Sequence, residues 1–287
     1  MENHKQNLLY ENSTKGPVLY VRHAETEYNL KSLTISKDIL KYQPEYIDGR
    51  ISDRGRKQSE QLSTVLNSFK IKYVFCSPLL RCLETCMISL STHPNKKDLS
   101  VNVNPWLNET VSGVHDFSLN MPWKQESFNC NSNVKFDWTF FNSLYKTDEE
   151  RETYYFNYID NLTEDDRQAC CLFEKLKSVD KRKDTKENKP IVSDYEMLLA
   201  EFSGHFALKK IRPESLKYMF ERNKKFKDYL KSFTLNLADD EKILVYTHSA
   251  FTKISTSTTA CIMDIIPDFP CDCYRLSNCE ILTMKIN

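Results

Sequence analysis

The chain has 287 residues, of which 40% are hydrophobic and 12% aromatic, with 40 basic side chains against 40 acidic ones. That length and composition supply a sizeable core, and the zero formal net charge excludes a global basic field for nucleic acid or a membrane surface, so any anion binding must be local. No apolar run approaches the ~20 residues that cross a bilayer, and Met1-Glu2-Asn3-His4-Lys5 lacks the hydrophobic segment of a secretory leader, so the ten cysteines read as cytoplasmic thiols.

Residues 1–16 are polar and read as a loosely docked arm. Val18-Leu19-Tyr20-Val21 then forms an apolar, β-prone run that ends abruptly in Arg22-His23. This is the pattern of a buried parallel strand, and in open α/β sheets the carboxyl edge of such strands is where ligands bind. Leu30 to Ile51 contains Pro44 and Gly49 without a sustained period and reads as an active-site loop. Ser52 can cap a helix from Asp53 to Phe69, with Leu62, Val65, Leu66 and Phe69 on one face.

A strand over Tyr73–Cys76 follows. Ser77 reads as the N-cap and Pro78 as the first residue of a helix whose inward stripe is Leu79, Leu83, Cys86, Met87 and Leu90. Arg81 falls off that stripe in the first turn, where unpaired backbone N–H groups favour anions. Leu99–Val103 reads as a short strand leading to Pro105-Trp106-Leu107-Asn108-Glu109.

Residues 112–211 are first aromatic (Phe117, Trp123, Phe128, Phe136, Trp138, Phe140, Phe141) and then charged, with Lys181-Arg182-Lys183-Asp184-Thr185-Lys186. They read as an insertion that forms a cap beside the pocket, within one domain spanning residues 1–287. Glu214–Phe233 is an amphipathic helix. Ile243-Leu244-Val245-Tyr246-Thr247-His248-Ser249 repeats the strand that ends in a histidine; Phe251–Ile262 is a helix, and Tyr274–Ile286 closes the sheet. Cys271, Cys273 and Cys279 lack a second pair at zinc-finger spacing, so no metal is expected.

Four stretches, in this order, resemble the histidine phosphatase superfamily, which includes cofactor-dependent phosphoglycerate mutase and fructose-2,6-bisphosphatase. They are Arg22-His23-Ala24-Glu25-Thr26-Glu27-Tyr28-Asn29, Ile51-Ser52-Asp53-Arg54-Gly55-Arg56-Lys57-Gln58, Ser77-Pro78-Leu79-Leu80-Arg81-Cys82-Leu83-Glu84-Thr85 and Thr247-His248-Ser249. Ala24 stands where the family has Gly, and Ser249 where Gly is more usual. The resemblance covers residues 17–111 and 212–285.

The resemblance implies an α/β fold, a mostly parallel central sheet with helices on both faces, as in phosphoglycerate mutases, plus the inserted cap. It implies His23 as the nucleophile that becomes a phosphohistidine, Arg22 and Arg81 as phosphate ligands, and Thr26 and Asn29 as phosphate or substrate contacts. His248 would donate to the transferring phosphoryl oxygens, and Glu109, in its Leu107-Asn108-Glu109 setting, would be the proton donor. The chemistry is coherent without a cofactor. Two guanidinium groups can neutralise a phosphate dianion, a neutral imidazole can attack phosphorus when its other nitrogen is anchored, and a carboxylic acid can protonate the leaving oxygen.

The activity expected is metal-independent hydrolysis of phosphate monoesters, on a phosphorylated small molecule or a phosphoprotein, with no nucleic acid or membrane partner. Thr110-Val111-Ser112-Gly113 does not resemble the stretch that follows the acid in phosphoglycerate mutases, which favours hydrolysis over mutase-type phosphotransfer. A reading from another class is a non-catalytic module that binds a phosphorylated ligand or protein. His4, His93, His115 and His205 read as structural histidines, and the sequence does not indicate an oligomeric state.

Overall fold

A computed structural model describes residues 9–10, 16–40, 46, 48–116, 125, 128–129, 133–144, 216–256 and 276–284. Its strands are Leu9–Tyr10 (β1), Val18–Arg22 (β2), Lys70–Cys76 (β3), Ser100–Val103 (β4), Lys135–Asp137 (β5), Glu241–Thr247 (β6) and Ile281–Met284 (β7). They form one sheet in the order β1-β7-β2-β6-β3-β4-β5. From β2 to β5 all neighbours are parallel, whereas β7 is antiparallel to β2 and parallel to β1.

The helices are Glu27–Lys31 (α1), Lys37–Leu40 (α2), Asp53–Leu66 (α3), Leu80–Ser89 (α4), Thr139–Leu144 (α5), Leu216–Thr234 (α6) and Ser249–Thr256 (α7). The central strands carry continuous apolar runs, Val18–Val21, Tyr73–Cys76 and Ile243–Tyr246, because both of their faces are covered there. Alternate side chains go opposite ways. Leu19, Val21, Leu244, Tyr246, Val74 and Cys76 pack with Leu62 and Leu66 of α3 and Leu83 and Cys86 of α4. Val18, Tyr20, Ile243, Val245 and Phe75 meet Phe226 and Leu230 of α6 and Phe251 of α7. Burial of Phe226 and Phe251 stabilises the fold by roughly 1.5–3 kcal/mol each.

The architecture is therefore the expected α/β one, with helices on both faces of a mostly parallel sheet, but several local readings change. Leu9–Tyr10, expected in a loose arm, form an edge strand paired with Ile281–Leu282. The expected loop from Leu30 contains the end of α1 and all of α2, which are too short to show a period.

The helix after β3 does not start at Ser77-Pro78: Leu79 is its N-cap, without a side-chain cap bond of its own. The Asp48 carboxylate accepts from Leu80 N at 2.8 Å instead. Within the expected cap, Lys135–Asp137 pairs in parallel with β4 and extends the sheet. The Lys181–Lys186 tract, residues 257–262 of the expected last helix, and Cys271 and Cys273 lie outside the described residues. Among the described residues no helix is long and apolar enough to cross a membrane.

Candidate active site

The strand register puts two histidines side by side. Arg22 is the partner of Thr247 across β2 and β6, so the next residues, His23 and His248, leave the carboxyl edge together, with ring centroids 5.1 Å apart. The turn after β2 is fixed by motif residues that have no reacting group. Glu25 N donates to Gln58 Oε1 at 2.9 Å and Ser52 N donates to Glu25 O at 2.8 Å, while Ala24 N donates to Thr85 Oγ1 at 2.9 Å. The second and third motifs thus clamp the backbone on which His23 stands.

His23 is 4% exposed, and its Nδ1 lies 2.7 Å from Ala24 O. A carbonyl only accepts, so Nδ1 carries the proton and Nε2 keeps its lone pair. Burial, then the charges of Arg81 and Arg22, hold the His23 pKa well below its ordinary value, and the ring is neutral near pH 7.

His248 is fully buried. Its Nδ1 accepts from Arg81 Nε at 3.4 Å, which leaves the proton on Nε2, 2.9 Å from Ser77 Oγ. Burial and Arg81 likewise hold its pKa well below the ordinary value. Ser77, expected as a helix cap, is mainly a partner of His248, although its hydroxyl also accepts weakly from Leu79 N at 3.4 Å.

Arg81, the second residue of α4, is 5% exposed and is engaged along its whole guanidinium. Beyond Nε, its Nη1 donates to His115 O at 2.6 Å and its Nη2 to Asp116 Oδ1 at 3.1 Å. Arg22 Nη1 donates to Leu276 O at 2.9 Å. Glu109 is within electrostatic range of Asp116, Arg81 and Arg22. Burial first, then Asp116, raises its pKa, against the opposing pull of Arg81 and of the Thr110 N–H. The Glu109 carboxyl therefore holds its proton to higher pH than an ordinary glutamate.

The segment that carries Glu109 is itself pinned. Thr247 Oγ1 donates to Leu107 O at 3.0 Å, and Arg222 Nη1, from α6, donates to the carbonyls of Trp106 and Asn108 at 2.7 Å each.

Five of the expected site residues, Arg22, His23, Arg81, Glu109 and His248, thus converge at one sheet edge. Thr26 and Asn29 are placed beside it, but their side chains serve each other: Thr26 Oγ1 accepts from Asn29 N, and Asn29 Oδ1 accepts from Thr26 N, a capping box at the start of α1.

His115, read from sequence as structural, stands at the pocket. Its ring stacks on Tyr28 at 3.8 Å, and its backbone holds Arg81. Asp116 and Arg222 had no site role in the sequence reading, and the local signal at Ser77 pointed to a helix cap, because the partners that matter, Arg81, the Trp106 and Asn108 carbonyls, and His248, are distant in the chain.

Residues 18–127 match the model of the histidine phosphatase superfamily (branch 1). Fructose-2,6-bisphosphatase TIGAR from Xenopus laevis is 29% identical over 93 residues, which are 32% of this chain and 31% of that protein, so the match spans about a third of that relative. Among solved structures, the ecdysone phosphate phosphatase of Bombix mori in complex with tungstate superposes with a TM-score of 0.48 at 14% identity, covering 92% of this chain and 86% of that one. The phosphoglycerate mutase of Bacillus anthracis str. Sterne gives 0.40 at 13% identity, covering 83% and 76%.

Proposed function

Residues 18–127 are a histidine phosphatase superfamily segment, and from that premise we propose that the protein is a metal-independent phosphatase that hydrolyses phosphate monoesters through a phosphohistidine on His23. The observation that carries the reading is the short bond from His23 Nδ1 to Ala24 O, which leaves Nε2 unprotonated on a ring within electrostatic range of the Arg81 and Arg22 guanidinium groups.

Arg22 and Arg81 bind the phosphate, and His23 Nε2 attacks phosphorus as the P–O ester bond breaks. The leaving oxygen takes the Glu109 proton. In the second half-reaction the Glu109 carboxylate removes a proton from water, the water oxygen attacks phosphorus and the P–N bond breaks, releasing phosphate and neutral imidazole. The Nε2–H of His248, held on Ser77 in the free enzyme, donates to the phosphoryl oxygens as charge develops.

Hydrolysis is favoured over mutase-type transfer because Ser112 turns its N–H and hydroxyl to Asp116 and Val111 is buried, so the segment after the acid offers no cation to a second phosphate. The substrate class is a phosphorylated small molecule or phosphoprotein; the name of the Xenopus relative makes phosphosugars one class to assay. The 112–211 stretch is assigned as an insertion within one domain, and the free thiols of Cys76, Cys82, Cys86 and Cys279 suit a reducing, cytoplasmic setting.

Rapid quench with radiolabelled phosphate monoester, in buffer with EDTA, should trap acid-labile, base-stable label on His23. An active enzyme that never carries label, or activity abolished by EDTA and restored by a divalent metal, sinks this reading.

A further inference from the structure

Asp116 takes no part in the chemistry above, yet it is built into the site. Its Oδ1 pairs with Arg81 Nη2 at 3.1 Å, with both side chains buried. Its Oδ2 accepts from Ser112 N at 2.9 Å and from Ser112 Oγ at 2.8 Å and lies 3.4 Å from His115 Nε2. The same short turn, Val114–Asp116, presents the His115 carbonyl to Arg81 Nη1 at 2.6 Å. Two of the three guanidinium nitrogens are therefore gripped by this turn, while the third faces His248.

A free arginine side chain samples many rotamers, and a catalytic one must be locked by neighbours that are themselves locked. Ser112 supplies that lock for the Asp116 carboxylate, and the Tyr28 ring stacked on His115 covers the turn.

We propose that Asp116 is a positioning residue for phosphoryl transfer: together with the His115 carbonyl it holds the Arg81 guanidinium at the phosphate seat. The inference rests on the phosphatase reading and deepens it. It has a second consequence through Glu109. The charged and titratable groups acting on that carboxyl are Asp116 from the turn, Arg81 and Cys82 from α4, and Arg22 from β2. Asp116 opposes Glu109 ionisation whereas both arginines promote it, so removing the Asp116 charge lets Glu109 lose its proton at lower pH.

The test compares wild type, Asp116→Asn and Asp116→Glu in thermal melts, in calorimetric titration with orthovanadate, and in phosphorylation-step rates for an alkyl phosphate and for p-nitrophenyl phosphate across pH. Asp116→Asn should remain folded but bind orthovanadate more weakly and lose about 10²-fold in kcat/KM, the scale of an ångström-level misplacement. The alkaline limb for the alkyl phosphate should move to lower pH, with no such shift for p-nitrophenyl phosphate. Asp116→Glu should restore both properties in large part.

Unchanged vanadate affinity and an unchanged alkaline limb in Asp116→Asn overturn the proposal. Activity lost only in proportion to folded protein, with Asp116→Glu equally impaired, overturns it too. Wild-type protein without turnover on any phosphate monoester would instead refute the phosphatase reading, and the vanadate comparison would still decide for or against Asp116.

Discussion

The backbone of Gly55 rests so closely on that of Glu25 that an added Cβ would stand 2.1 Å from the Glu25 carbonyl oxygen. The contact is with main chain, so no side chain can swing away to relieve it. Gly55→Ala should therefore cost about 1–3 kcal/mol, as overpacking does, and should displace the turn that begins at His23. Lower kcat/KM together with a lower unfolding midpoint is expected. Gly49→Ala, where the nearest atom is Tyr46 O at 3.2 Å, is the milder control, and equal effects of the two would contradict this account.

The two histidines set the acid behaviour. Burial, then Arg81, depresses both pKa values in the folded chain, whereas the unfolded chain takes up these protons near pH 6.5. Their contribution to stability is present above about pH 6.5 and is lost as pH falls through the folded values. The same depression keeps His23 nucleophilic in acid. After correction for the substrate's own ionisation near pH 6, the acid limb of kcat/KM should lie below 6.5. Denaturant titrations and rate profiles from pH 5 to 8 check both statements, and an acid limb at 6.5 with flat stability would refute them.

Glu109→Gln separates the acid from a simple binding group. A positioned acid contributes about 10²- to 10⁴-fold, and it matters most for a poor leaving group. The phosphorylation step should slow far more for an alkyl phosphate than for p-nitrophenyl phosphate. Equal losses on the two substrates would remove Glu109 from that role.

Arg222 predicts an effect from outside the pocket. Arg222→Met leaves the carbonyls of Trp106 and Asn108 without their donor, at about 1–3 kcal/mol for each group left unpaired in the interior. The Glu109 segment would loosen with it. A fall in thermal stability, with alkyl phosphate turnover hit harder than aryl phosphate turnover, is the expected result, whereas unchanged stability would mean that other contacts hold the segment.

What was legible in the sequence was periodic or closely spaced. Val18–Val21 and Ile243–Tyr246 announce strands buried on both faces, and Arg22-His23 and Thr247-His248 mark their ends without ambiguity. Ser77-Pro78 misled because a helix start is a local pattern, while the cap at Leu80 comes from Asp48 and the serine hydroxyl is taken by a histidine 171 positions away. Thr26 and Asn29 carry a local signal that competes with their expected role, since Thr-x-x-Asn is also a reciprocal helix cap. Asp116 and Arg222 were opaque because the groups they hold, the Arg81 guanidinium 35 positions away and the Trp106 and Asn108 carbonyls 116 and 114 positions away, lie far from them in the chain.

The sheet order has a consequence for biosynthesis. β2 lies between β7 and β6, and Val18 is in register with Ile243 on one side and Met284 on the other. A ribosome adding roughly 5–20 residues per second needs about 11–45 seconds to travel from residue 18 to residue 243. Through that interval β2 has neither neighbour, and His23 lacks the Thr247 carbonyl that receives its N–H at 3.0 Å. Completion of this sheet is thus a late event in translation, and β2 waits through most of synthesis for both of its neighbours.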